Sequence, residues 1–198
     1  MTSRAVFFDF GGVILRTEFQ APRQQLAERF HLEYEELDRA VFNCESAKRA
    51  SLGEISEAQH WLEVAKRFKL PASEAQAFQD AFFGGDVIDR ALVNFIRDLR
   101  RRGIHTGLIS NAWSGLRAYM EKEKILDAFD SLTISAEARV VKPSPEIYRL
   151  ALQKAQASNA IFVDDFPENI AACQQLGWTG ILFRDSKACM EKISRLVF

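Results

Sequence analysis

Five short apolar or β-branched runs punctuate the chain: Arg4–Asp9, His105–Ser110, Ser131–Ser135, Ala160–Asp165 and Thr179–Phe183. Each has the length and near-continuous apolar character of a strand buried on both faces. Helical patterns separate the last four. Ile88, Ala91, Leu92, Phe95, Ile96 and Leu99 recur at the spacing of one helix face. Ser144-Pro145-Glu146 supplies an N-cap serine with proline in the first turn, and Pro167 opens a helix that stops near Gly177. Strands alternating with helices predict an α/β fold: a Rossmann-like, doubly wound, five-stranded parallel sheet with helices on both faces.

The first strand breaks that rhythm, because roughly 90 residues separate it from the next, far more than one crossover helix needs. The interval carries only helical patterns, at Arg23–Phe30, Glu33–Ala47, Ser56–Phe68 and Ser73–Phe83. This predicts a small all-helical cap, residues 19–84, inserted into a core formed by residues 1–18 and 85–198. The return junction, Gly84-Gly85-Asp86, suits a hinge and an ordinary turn equally well.

Composition narrows the functional classes. Lys+Arg 26 against Asp+Glu 27 leaves a net charge of −1, which gives no electrostatic footprint for nucleic acid or an anionic membrane. No apolar run approaches the ~18 residues that span a bilayer. The apolar start contains Asp9 and lacks a basic segment and cleavage site, so a soluble, cytoplasmic protein is expected. Cys44, Cys173 and Cys189 are widely spaced, and His31, His60 and His105 are isolated, which argues against zinc. Chemistry must come from carboxylates, hydroxyls, amides and lysines.

Such groups stand where strands end. The first strand ends in Asp9, followed by Phe10-Gly11-Gly12-Val13, the second in Ser110-Asn111 and the fourth in Asp164-Asp165. In open parallel sheets the ligand site lies beyond the carboxyl ends of the strands, so these clusters point to one edge. Lys142-Pro143 adds a fourth element. Three carboxylates at one edge repel one another, and a divalent cation with a lysine relieves this. Mg²⁺ takes hard oxygen ligands, and a lysine ammonium binds phosphate oxygens. Ser110 and Asn111 offer a hydroxyl, an amide and backbone N–H groups at a helix N-terminus, which suits an anion. The set reads as carboxylates and Mg²⁺ on one side of a phosphoryl group, with one carboxylate free to act as nucleophile.

The order of these motifs resembles the haloacid dehalogenase-like (HAD) hydrolase superfamily, over about 130 residues of core: Asp9 at a strand end, Leu-Ile-Ser110-Asn111, Lys142-Pro143-x-Pro-x-x-Tyr and Phe-Val-Asp164-Asp165. Asp9-Phe-Gly-Gly-Val and Val-Asp164-Asp165-x-x-x-Asn169-Ile look closest to the branch holding small sugar-phosphate phosphatases and the phosphatase domain of soluble epoxide hydrolases. The resemblance implies that Asp9 is the nucleophile and a Mg²⁺ ligand, and that Gly11 lends its backbone carbonyl to the metal. It further implies that Ser110 and Asn111 hold the transferring phosphoryl group and that Lys142 neutralises charge. Asp165 would be the direct metal ligand, with Asp164 a second or water-mediated one. The implied substrate is a small phosphorylated metabolite. Oligomeric state is not legible.

The chain departs from the pattern at Gly11, where phosphatases of the superfamily usually carry an aspartate that protonates the leaving alcohol. Three outcomes are open: a substrate with a good leaving group such as an anomeric or acyl phosphate, a substitute acid from the cap or water, or a weak or inactive relative. Dehalogenation also dispenses with that acid, so a metal-independent 2-haloacid dehalogenase is one alternative, although Asp164-Asp165 beside the nucleophile speaks against it. A non-catalytic binding or regulatory protein on the same scaffold is another. Glu18, Glu45, Lys48 and Arg49 are polar candidates for substrate selection. Trp113 and Phe10 either line the pocket or pack in the core.

Overall fold

The computed structural model describes residues 4–198, so the first three residues assigned to the core lie outside it. The chain opens with β1 (Arg4–Phe8) and β2 (Leu15–Thr17) and enters five helices: α1 (Ala21–Arg29), α2 (Tyr34–Phe42), α3 (Glu45–Ser51), α4 (Glu57–Arg67) and α5 (Ala75–Phe82). It returns through β3 (Asp86–Ile88), then runs α6 (Arg90–Arg101), β4 (His105–Ser110), α7 (Leu116–Lys122), β5 (Ser131–Ile134) and α8 (Ser135–Ala138). α9 (Pro145–Ala155), β6 (Asn159–Asp164), α10 (Pro167–Gln175), β7 (Thr179–Leu182) and α11 (Ser186–Val197) complete it.

The five predicted strands form one sheet in the order β5-β4-β1-β6-β7, with every neighbouring pair parallel. Successive residues of a strand face opposite ways, and that alternation builds two cores. Val6 and Phe8 of β1 join Ile161 and Val163 of β6 on one face, where Leu92, Ile96 and Leu99 of α6 and Ile193 of α11 cover them. Ala5 and Phe7 join Ala160 and Phe162 on the other, beneath Ile147, Tyr148 and Ala151 of α9 and Cys173 of α10. Both faces are sealed, which is why these strands read as unbroken apolar runs. Among the described residues no helix is long and apolar enough to cross a membrane.

The helical segment has an apolar cluster of its own, built from Leu26, Leu37, Val41, Trp61, Val64, Phe78 and Phe82. Its helices differ from the sequence pattern in one place: the run Glu33–Ala47 is two helices, not one. Asn43 caps the first, and Cys44, in extended conformation, starts the second. The two connections between segment and sheet pair as an antiparallel ribbon, Leu15 opposite Ile88 and Thr17 opposite Asp86. Three residues per strand are too few to show alternation, so the ribbon left no sequence signal. Ile88 therefore belongs to β3, and Asp89 caps α6 by accepting from the Leu92 N–H at 2.9 Å. Gly85 is needed for close approach: a Cβ there would stand 1.7 Å from the Phe19 carbonyl oxygen. Gly84 and Gly85 thus form a hydrogen-bonded turn after α5 that leads into the ribbon at Asp86.

Candidate active site

β4, β1 and β6 are adjacent at the centre of the sheet, and their carboxyl ends bring Ser110, Asp9 and Asp164-Asp165 to one edge. Lys142 reaches in from the loop before α9, with its Nζ 2.8 Å from Asp9 Oδ1 and 2.6 Å from Asp164 Oδ2. The ammonium is almost wholly buried and also lies over the Phe162 ring. Burial pushes the Asp9 carboxyl up to about 6; Lys142 pulls it back and Asp164 raises it again. Asp9 accepts from the Phe10 N–H at 2.7 Å, which fixes the direction of its carboxylate.

The two adjacent aspartates differ in what they have left to give. Asp164 is fully committed: besides Lys142 it accepts from the Phe166 N–H at 2.8 Å and from Asn169 Nδ2 at 3.0 and 3.1 Å. The sequence motif contains Asn169 without giving it a role. Five residues after Asp164 it falls in the first turn of α10, facing back to the strand end, and its carbonyl accepts from Tyr148. Asp165, by contrast, has a buried Oδ1 with no partner. Its carboxyl is raised, by burial first and then by Asp164. Gly12, at φ +74°, makes the cradle for it, since a Cβ there would lie 2.1 Å from Asp165 Oδ2. An orphaned carboxylate oxygen in a set where Asp9, Asp164 and Asp165 each place an oxygen within 4.8 Å of the others fits a hard cation.

Ser110 is buried at the end of β4. Asn111 does something its position beside Ser110 does not suggest. Its Nδ2 donates to the Lys142 carbonyl at 2.9 Å and its Oδ1 accepts from the Lys142 N–H at 2.7 Å. Both ends of the side-chain amide are spent on the Lys142 backbone. The pair does not open a helix either, because α7 begins only at Leu116 and the Ala112 N–H is taken by Ser135 Oγ at 3.0 Å.

Residues 3–177 match the haloacid dehalogenase-like hydrolase family. The chain is a member of that family. It is 28% identical to the sesquiterpene phosphatase astK of Aspergillus oryzae, an alignment covering 96% of this chain and 95% of that protein. It is 25% identical to the bifunctional epoxide hydrolase 2 of Sus scrofa over 99% of this chain but only 39% of that protein. A HAD family enzyme of Bacteroides thetaiotaomicron, solved in complex with magnesium and inorganic phosphate, superposes with a TM-score of 0.75 at 18% identity, covering 93% of this chain and 95% of that one.

The remaining candidates of this HAD-like hydrolase are packing residues or lie toward the surface. Phe10 is core, 4% exposed and edge-on to Tyr119. Trp113 leaves the sheet domain to pack into the helical segment, with ring centres 4.2 Å from His60, 5.6 Å from Trp61 and 5.8 Å from Phe42. Glu18 pairs with Arg16, and Arg49 lies near Glu54 and Glu63, so both are engaged on the surface. Glu45 and Lys48 are exposed on α3.

Proposed function

We propose that this HAD-like hydrolase is a Mg²⁺-dependent phosphohydrolase of small phosphorylated metabolites, with Asp9 as nucleophile. The observation that carries it is Lys142 wedged between Asp9 and Asp164 while Asp165 keeps a buried oxygen unpaired. Asp9, Asp165 and the Gly11 carbonyl would hold the cation, and Asp164 would act through Lys142. When bound, Mg²⁺ supplies positive charge that offsets the phosphoryl oxygens and the crowded carboxylates. Lys142 offsets further charge and steadies Asp9, while the Ser110 hydroxyl and the Asn111 N–H receive phosphoryl oxygens. The Asp9 carboxylate attacks phosphorus as the P–O bond to the substrate's leaving oxygen breaks, and water then displaces Asp9 from the aspartyl phosphate, releasing inorganic phosphate and the free carboxylate. Residues 19–84 act as a cap over the core of 1–18 and 85–198, excluding water from the closed site. The similarity to a phosphatase over nearly its whole length supports the reaction class.

The test is release of p-nitrophenol from p-nitrophenyl phosphate. Turnover is expected to need Mg²⁺, to stop with a chelator, and to fall by at least about 10³-fold in Asp9→Asn. Halide release from a 2-haloacid without metal, with no phosphatase activity, would replace this proposal with the dehalogenase.

A further inference from the structure

The residue two places after Asp9 determines what the substrate must bring. If Asp9 displaces an oxygen leaving group from phosphorus, that oxygen departs with the bonding electron pair and needs a proton in proportion to its basicity. Among the described residues, position 11 offers none. Gly11 is exposed and has no side chain, and a Cβ built on it meets no atom within 4 Å. The space is there, but no donor fills it.

Among the described residues, the ionisable groups nearest Asp9 have other work, and the unpartnered Asp165 oxygen is the one the phosphatase reading gives to the cation. Lys142 is shared between two carboxylates, and Asp164 has every oxygen occupied. His60, the histidine that touches Trp113, is sealed from solvent with Nδ1 on the Ser46 hydroxyl at 2.8 Å. Burial pushes it down to about 4, so it carries no surplus proton at neutral pH. His105 begins β4, at the end of the strand away from Ser110, and bonds Ser131; His31 sits exposed after α1.

We propose that the substrate carries its phosphoryl group on a weakly basic oxygen, as in an anomeric sugar phosphate, an acyl phosphate or a phosphoric anhydride, and that simple alkyl phosphates are poor substrates. This rests on the phosphatase reading above. In the first step the Asp9 Oδ–P bond forms as the P–O bond breaks, and the leaving oxygen keeps the electron pair as an anion stable enough to depart unprotonated. In the second, water attacks phosphorus, Asp9 leaves as the carboxylate, and the water's proton passes to solvent. Both steps balance without an acid at position 11.

The experiment is a leaving-group series at saturating Mg²⁺. It uses substituted phenyl phosphates from p-nitrophenyl to p-methoxyphenyl, then benzyl phosphate, with glucose 1-phosphate against glucose 6-phosphate, acetyl phosphate and pyrophosphate distinguishing the natural sources. Because a general acid is worth about 10²–10⁴-fold, kcat/KM is expected to fall by about 100-fold or more from p-nitrophenyl to benzyl phosphate. Gly11→Asp, which the open space accommodates, is expected to shrink that gap by raising the benzyl rate. Gly11→Asn, of the same shape but without an acidic proton, is expected to keep the wild-type gap. Wild-type rates on benzyl and p-nitrophenyl phosphate within about tenfold of each other would overturn the inference and leave the phosphatase reading standing. No turnover of any phosphate would instead remove that reading.

Discussion

Asn111 follows Ser110 in the chain, yet its side chain is spent 31 residues further on, at Lys142. Strand ends made Asp9, Ser110, Asn111 and Asp164-Asp165 legible as one edge, because a parallel sheet leaves little choice about where its carboxyl termini gather. Which way each side chain turns was not legible, since that depends on loops whose course no periodicity encodes. Asp164 and Asp165 illustrate this: adjacent in sequence, one is saturated by Lys142, Phe166 and Asn169 and the other keeps a free oxygen. The amide clamp on Lys142 carries its own prediction. Asn111→Ala should cost about 1–3 kcal/mol in chemical denaturation, because it orphans both backbone groups of Lys142. It should also lower kcat for p-nitrophenyl phosphate more than it raises KM, because the lysine that steadies Asp9 loses its seat. An unchanged kcat alongside the stability loss would make the clamp purely structural.

The ribbon joining sheet and helical segment depends on Arg23. Its Nη2 lies 3.0 Å from Asp86 Oδ1, its Nη1 2.9 Å from Asp38, and its Nε donates to the Phe82 carbonyl at 3.0 Å. The guanidinium also stacks over the Phe82 ring. Asp86 in turn accepts from Thr17 across the ribbon at 2.7 Å, so α1, α5, β2 and β3 meet at one buried charge pair. The pairing of Arg23 with Asp86 left no sequence signal, because an arginine on a helix and an aspartate after a Gly-Gly pair roughly 60 residues on each look like solvated charges. Burial raises the Asp86 carboxyl, with Thr17 and Arg23 pulling it back. Arg23→Met should therefore destabilise by about 3–5 kcal/mol, leaving a buried carboxylate without its cation. Adding Asp86→Asn to that variant should recover part of the loss. A double-mutant cycle by urea unfolding reads the coupling, and strictly additive losses would show that the pair does not act as a unit.

At the scale of the whole molecule, the carboxyl ends of the central strands hold three carboxylates against one ammonium, so the burial of Asp9 as a carboxylate works against folding. Asp9 shows the sign. Its carboxyl is raised by burial to about 6 from an ordinary 3.8, so between those values the folded chain binds a proton that the unfolded chain has released. Stability from that proton is complete below the unfolded value and is lost as pH rises through about 6. In a chelator at pH 7.5, Asp9→Asn should be more stable than the wild type, by something on the order of 1–3 kcal/mol, since a tenfold change in proton affinity is worth about 1.4 kcal/mol. Lys142 keeps Asp164 as its partner in the variant. The gap should close toward pH 4, where wild-type Asp9 is protonated in the fold. Mg²⁺ should reverse the order at pH 7.5 by raising the wild-type Tm in a saturable way, worth about 2.7 kcal/mol at 100 times Kd, and Asp165→Asn should lose that response. A wild-type chain already more stable than Asp9→Asn at pH 7.5 in the chelator would mean that Lys142 alone outweighs the burial of Asp9, and that the cluster is a structural ion pair instead of a site strained for a metal.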